Sequence, residues 1–515
     1  MNHLAIAPVL LPLVAGILLL LFRHSPIMLR RMFSVAAVLG QIGIGLMLLE
    51  SVNGGEILVY ALGNWQAPYG IVMVADRLAV WMLLITSLLA LFPLLYACRG
   101  FDLVGRHFHV LFQLQLFGIN GAFLTGDLFN LFVFFEVLLL ASYGLILYGG
   151  GRLRTKAGLH YVVLNLVGSS LFLIAVGTLY GVFGTLNMAD LALKMGSVSA
   201  ENLGLARAAS LLLFAVFALK AALLPLYLWL PAAYSQTSAP VAALFAIMTK
   251  VGAYSILRVS TLMFGAQAGD MSGLIEPWLL PLALATLIIG LFGALAAKSL
   301  REQAAYLVVA SVGTLLTAFA LASVPGIAAG LYYLPHSTFA VAALFLLAER
   351  IAFSRGELGD RFEPGQAMPG AALLGSLFFF TAILLAGLPP LSGFLGKFLL
   401  LKAALAHPAW GWIMALVLLG GLLGLIALAR SGSLLFFRSL PPPESSEPVA
   451  VTTAVKSETS ESATSLVSVL PILGLLGLTL GLTLAAGPLH QLATATAEQL
   501  LQPYLYIHAV LGGRS

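Results

Sequence analysis

The stretch Ser210–Arg258, SLLLFAVFALKAALLPLYLWLPAAYSQTSAPVAALFAIMTKVGAYSILR, decides how the chain is read. Two long apolar spans each carry one lysine near the middle, Lys220 and Lys250, and the first span is interrupted at Pro225 and again at Pro231. A lysine deep in hydrocarbon costs roughly 2.5–3.5 kcal/mol on insertion scales, so it requires a partner, a water-filled cavity or a task. Proline in a spanning helix frees a carbonyl, tolerated only where protein or internal water satisfies it. Charge and broken helix together read as an ion path.

Composition agrees with a membrane setting. The 515 residues are 61% hydrophobic and only 9% charged, against about 25% charged in soluble proteins, and the chain reads as an all-α polytopic membrane protein. The net charge of +5 is small and the bases sit at span ends, which argues against a nucleic-acid partner. The single cysteine, Cys98, excludes an internal disulfide and cysteine-ligated zinc or iron–sulfur sites. The histidines are scattered, so no metal, haem or other cofactor is expected. The first apolar run lacks a basic region before it and reads as a retained span rather than a cleaved signal.

Hydropathy gives spans near 4–22, 32–52, 77–98, 107–125, 127–148, 157–182, 205–230, 240–262, 277–297, 302–322, 326–349, 371–406, 409–429 and 464–486, about fourteen in all. Arginines and lysines follow the odd-numbered spans, while acids such as Glu56, Asp190, Asp270 and Glu276 occupy the opposite loops. The positive-inside rule then puts both termini on the outer side. Residues 53–76 alternate like strands, broken by Gly and Pro, and predict an outer hairpin. Residues 441–463 are rich in Pro, Ser, Thr and Glu and predict a disordered cytoplasmic linker. The segment after the last span is weakly amphipathic, suited to the outer surface or a partner.

The buried ionisable residues form a series. Glu136 lies in the fifth span, roughly 15 Å from its outer end by helical rise. A carboxylate there pairs naturally with Lys220, each charge setting the other's proton affinity. Lys250 is too central in its span to snorkel and is the next station. The twelfth span repeats the device: it is broken at Gly387-Leu388-Pro389-Pro390, with Lys397 after the break. Two proline-interrupted segments in corresponding halves point to inverted repeats with an ion path at their interface. His336, between the halves, is either a satisfied core histidine or a proton relay between Lys250 and Lys397.

These strings resemble the antiporter-like subunits shared by Mrp-type cation/proton antiporters and respiratory complex I. TGDLFNLFVFFEVLLLASY, PLYLWLPAAY, MTKVGAYSILR and the terminal AEQLLQPYLYIHAVLG are most similar to the D-type subunit of the Mrp group, and the resemblance covers nearly the whole chain. It implies proton transfer at Glu136, Lys220, Lys250, His336 and Lys397. It also implies a subunit, not an enzyme, of a hetero-oligomeric complex in the bacterial inner membrane that exchanges sodium or another monovalent cation for protons. Domains follow: 1–106 with three spans and the hairpin, repeats at 107–262 and 277–438, the linker at 439–463, and a last span with outer segment at 464–515. Some relatives carry a lysine shortly after the histidine, where this chain has Ala340 and Val341. Three rival readings stand beside the antiporter: a proton-pumping subunit of a redox complex, a membrane enzyme on a lipid-linked substrate, and a passive scaffold. The short loops and buried ionisable residues disfavour the enzyme.

Overall fold

The computed structural model describes residues 3–366, 368–438 and 466–512. The predicted linker at 441–463 lies outside the described residues. From the N-terminus the helices are α1 (Ala7–Leu21), α2 (Ile27–Asn53), α3 (Arg77–Ala97), α4 (Phe108–Leu124), α5 (Leu128–Ile146), α6 (Arg152–Phe183) and α7 (Met188–Met195). There follow α8 (Ala200–Ala221), α9 (Trp229–Gln236), α10 (Ala239–Phe245), α11 (Met248–Met263), α12 (Glu276–Ala296), α13 (Leu300–Ala320) and α14 (Val324–Arg355). The last six are α15 (Ala371–Ala386), α16 (Ser392–Ala404), α17 (Trp410–Gly432), α18 (Leu466–Leu484), α19 (Ala486–Leu500) and α20 (Pro503–Leu511). Among the described residues, ten helices are long and apolar enough to cross a bilayer, α10 and α11 counting together. The pair α18–α19, bent by 79°, makes an eleventh if it is one span; α1, α4 and α15 are shorter apolar helices.

Local chemistry sets where these helices start. Asp76, Asp127, Ser299 and Ser323 each accept a backbone N–H of the following first turn, which satisfies donors that have no partner in the helix. Strands β1 (Leu58–Ala61) and β2 (Val72–Ala75) pair antiparallel, Leu58 opposite Ala75.

Burial is uneven. The window through α10 and α11 is 100% buried, whereas those of α2 and α17 are each 33% buried, so α10 and α11 run through the interior while α2 and α17 lie at the periphery. The C-terminal segment packs against its own chain, with Tyr506, Ile507 and Val510 of α20 buried. Gln499 of α19 accepts from Arg77 N at 3.2 Å and donates to Gly55 O at 3.2 Å. A buried, bidentate Arg258–Asp76 pair at 2.6 and 2.7 Å ties α11 to the start of α3, and the Arg258 guanidinium lies 5.3 Å from the Tyr506 ring centroid. Removing either partner would strand a buried charge.

Two crossings unwind within the protein. After Ala221 the chain turns through Ala222 (φ 60°) and Pro225 before α9 begins. Pro231 opens no second break, contrary to the sequence reading. It is the third residue of α9, in a first turn whose N–H groups have no helical acceptor, so proline costs nothing there. The second break runs from Gly387 (φ 78°) through Pro389 and Pro390 to the start of α16 at Ser392. A left-handed φ suits glycine.

Candidate functional site

Lys220 stands in the last turn of α8, one residue before the helix ends. It is 5% exposed, and its Nζ donates to the Asn165 carbonyl at 3.3 Å and to Asn165 Oδ1 at 3.2 Å. The expected partner, Glu136, is half-buried on α5 and accepts a hydrogen bond from the Ser169 hydroxyl. No ion pair within 4.0 Å joins Glu136 to Lys220 among the described residues. What stands between them is one face of α6: Asn165, Gly168 and Ser169, spaced three and four apart. A Cβ on Gly168 would lie 3.6 Å from Lys220 Nζ, so the glycine leaves the amine its room. The sequence reading missed these α6 residues, although an Asn and a Ser one turn apart in an apolar helix are a readable signal.

The break after Lys220 is satisfied from within. The Trp229 indole donates to Leu219 O at 3.0 Å, Leu223 N to Ala218 O at 2.9 Å, and Leu224 N to Thr286 Oγ1 at 2.9 Å. Helix α11 passes close by: a Cβ on Gly252 would sit 2.4 Å from Ala221 N. Only glycine permits that approach, which brings Lys250, two residues earlier, into the interior. Lys250 is fully buried, and its Nζ donates to Ser311 Oγ of α13 at 3.1 Å.

The second break is satisfied differently. Lys397, in α16, reaches back so that its Nζ donates to Ala386 O, the last carbonyl of α15, at 2.9 Å. Pro390 has no N–H to offer the Ala386 carbonyl, and the lysine takes that place. His336 is 1% exposed, and its Nδ1 lies 2.9 Å from Ser392 Oγ at the start of α16. Its helix also carries Pro335, which removes the N–H that would reach Leu331 O; the Trp81 indole of α3 donates to that carbonyl instead, at 3.2 Å. Ala340 and Val341 are both fully buried.

One further cluster lies apart from this series. Asp102, between α3 and α4, accepts from Arg31 at 2.6 and 2.7 Å and pairs with His109 Nε2 at 3.1 Å. Burial by itself would raise the Asp102 carboxyl, but the bonds from Arg31 and His109 outweigh it and hold the group down to about 2. Cys98, Asp102 and His109 place ligand atoms within 4.8 Å of one another. The Arg31 guanidinium already occupies both carboxylate oxygens and repels a cation, so this is a structural tie rather than a metal centre.

Residues 125–424 match the transmembrane family described as NADH:quinone oxidoreductase/Mrp antiporter. The chain belongs to this family. It is 41% identical to the D component of a probable K(+)/H(+) antiporter from Rhizobium meliloti, over 99% of this chain and 98% of that one. It is 38% identical to the D component of a Na(+)/H(+) antiporter from Alkalihalophilus pseudofirmus, over 99% of this chain and the whole of the relative. Among solved structures, a chain of the Mrp complex from Dietzia sp. superposes with a TM-score of 0.86 at 30% identity, covering 99% of this chain and 100% of that one. A chain of respiratory complex I from Thermus thermophilus gives 0.74 at 26% identity, covering 96% and 99%. The chain is thus a multi-pass membrane protein related to antiporter subunits.

Proposed function

We propose that this chain is the proton-translocating subunit of a multi-subunit monovalent cation/proton antiporter in a bacterial inner membrane. Protons move laterally along Glu136, Lys220, Lys250 and Lys397, with His336 beside the second break. The observation that carries this reading is the company the lysines keep. Among the described residues no carboxylate lies within 4.0 Å of Lys220, Lys250 or Lys397. Each is held by neutral oxygens: the Asn165 amide and carbonyl, the Ser311 hydroxyl and the Ala386 carbonyl. A lysine that stays charged merely to fix packing is best served by a carboxylate partner. A lysine held by neutral acceptors can lose and regain a proton without stranding a buried carboxylate, which is what a relay requires and a scaffold does not.

The relatives named above are antiporters of K⁺ in one case and Na⁺ in the other, which supports a monovalent cation here, with Na⁺ the first to test. Sodium prefers a shell of oxygens, whereas the oxygens in contact with Lys220, Lys250 and Lys397 are each already engaged by the amine. The cation path is therefore assigned to partner subunits. Counting the bent pair and the three shorter helices as crossings brings the ten to fourteen, arranged as inverted five-helix repeats at 107–262 and 277–438 with both termini outside.

Cation-dependent proton flux in everted vesicles containing the whole complex tests this reading. Glu136→Ala should abolish exchange with the complex still assembled, and Glu136→Asp should keep part of it. The chain reconstituted alone should show no sodium-driven proton movement. The likeness to complex I favours a second reading, a pump subunit of a redox complex. Proton movement that follows electron donors rather than added cation would establish it instead.

A further inference from the structure

Between Lys250 and Lys397 lies a cleft of about 30 Å³, apolar along Leu287, Leu291, Leu385 and the glycines of α17 and polar along its other wall. Helix α13 contributes Ser311 and Thr314, and α14 contributes Tyr333 and Ser337. Lys397 closes the far end beside the second break. At the near end Lys250 Nζ is 3.1 Å from Ser311 Oγ, so the buried amine and the cavity share one hydroxyl. The Thr314 hydroxyl donates to Ala310 O at 3.1 Å, which leaves its lone pairs free to accept. A space of this size and polarity holds about two waters. His336 does not line it. Successive residues on a helix point about 100° apart, and His336 turns toward Ser392 while Ser337 faces the cavity. Gly393 of α16 comes so near that a Cβ there would be 2.8 Å from His336 Nε2.

We propose that protons pass from Lys250 to Lys397 through the Ser311 hydroxyl and water held in this cavity by Thr314, Tyr333 and Ser337, and that His336 is a positioning residue that fixes the start of α16. The inference rests on the proton-carrying reading above. In one transfer an N–H bond of the Lys250 ammonium breaks as Ser311 Oγ takes the proton. Ser311 gives its own proton, until then directed at Val308 O at 2.7 Å, to a cavity water. The last water protonates the neutral Lys397 amine, and every oxygen ends as it began. A hydroxyl can do this because it both donates and accepts.

The experiment is cation-dependent proton flux in vesicles holding the whole complex, with complex abundance measured in parallel. Ser311→Ala should cut exchange by about a hundredfold, the lower end of what a proton-transfer group contributes, and Ser311→Thr should restore most of it. Ser337→Leu, which fills the cavity, should do the same damage. His336→Gln keeps a hydrogen bond to Ser392 without titrating near neutrality, and should leave both the rate and its pH profile nearly unchanged. Wild-type exchange in assembled Ser311→Ala, or a lost rate or displaced pH profile in His336→Gln, overturns the route. If Ser337→Leu does not assemble, the Ser311 pair decides alone. Glu136→Ala serves as the reference: if it too exchanges normally, the proton-carrying reading itself fails, and not merely this path.

Discussion

Between Ala221 and Trp229 the chain unwinds just after a lysine; between Ala386 and Ser392 it unwinds before one. In space the two lysines arrive at the same place, the C-terminal end of a half-helix. Lys220 does so as part of α8, and Lys397 by reaching back from α16 to the last carbonyl of α15. That end carries the equivalent of roughly half a negative charge, which favours a cation without supplying a carboxylate. The breaks differ in who satisfies them. The first is closed by Trp229 and Leu223, which leaves Lys220 to Asn165 of α6. At the second, Lys397 itself closes the Ala386 carbonyl. Proton loss at Lys220 therefore leaves its break intact, whereas events at Lys397 bear directly on the geometry of the break.

The strongest way to test the contrast is to remove each lysine. Lys220→Ala and Lys397→Ala should both lower exchange by about a hundredfold or more, the lower bound for losing an acid–base group. Thermal unfolding of the purified complex should separate them, with Lys397→Ala the less stable because Ala386 O loses its donor. Equal melting temperatures would show that the second break does not depend on its lysine.

Next come the glycines that let a neighbour approach each break. A Cβ would meet Ala221 N at 2.4 Å from Gly252 and Leu384 O at 2.2 Å from Gly393. Gly252→Val and Gly393→Val should each destabilise by about 1–3 kcal/mol, the cost of overpacking. Unchanged denaturant midpoints would mean the helices can part freely. A subtler change is Asn165→Asp, which would give Lys220 the counter-ion it lacks. Held as an ammonium by that charge, Lys220 should release protons more slowly and exchange should fall by roughly fivefold. Faster exchange would contradict the role of neutral acceptors. The smallest effect belongs to Trp229→Phe. It deletes one hydrogen bond to Leu219 O and should cost about 0.5–1 kcal/mol in unfolding measurements, with exchange retained.

The sequence by itself determined a great deal of this protein. Its apolar runs of twenty or so residues can only be spanning helices, because the backbone must satisfy itself in hydrocarbon. Pro225 and Pro389-Pro390 mark the two breaks for the same reason, and the lysines stand out because charge is costly there. Pro231 misled because the effect of a proline depends on its place in a turn, and that place follows from where α9 begins. Tertiary structure alone decided who meets whom. That Asn165 and Ser169 of α6 stand where a Glu136–Lys220 pair was expected depends on the rotation of three helices about their axes. That Lys397 turns back to Ala386, and that Ser311, Thr314, Tyr333 and Ser337 line one cavity while His336 faces Ser392, depends on the angle at which α16 leaves the break and on how α13 packs against α14. Periodicity gives the face of a helix but not its partner, since contacts between residues far apart in the chain are set by the packing of the whole core.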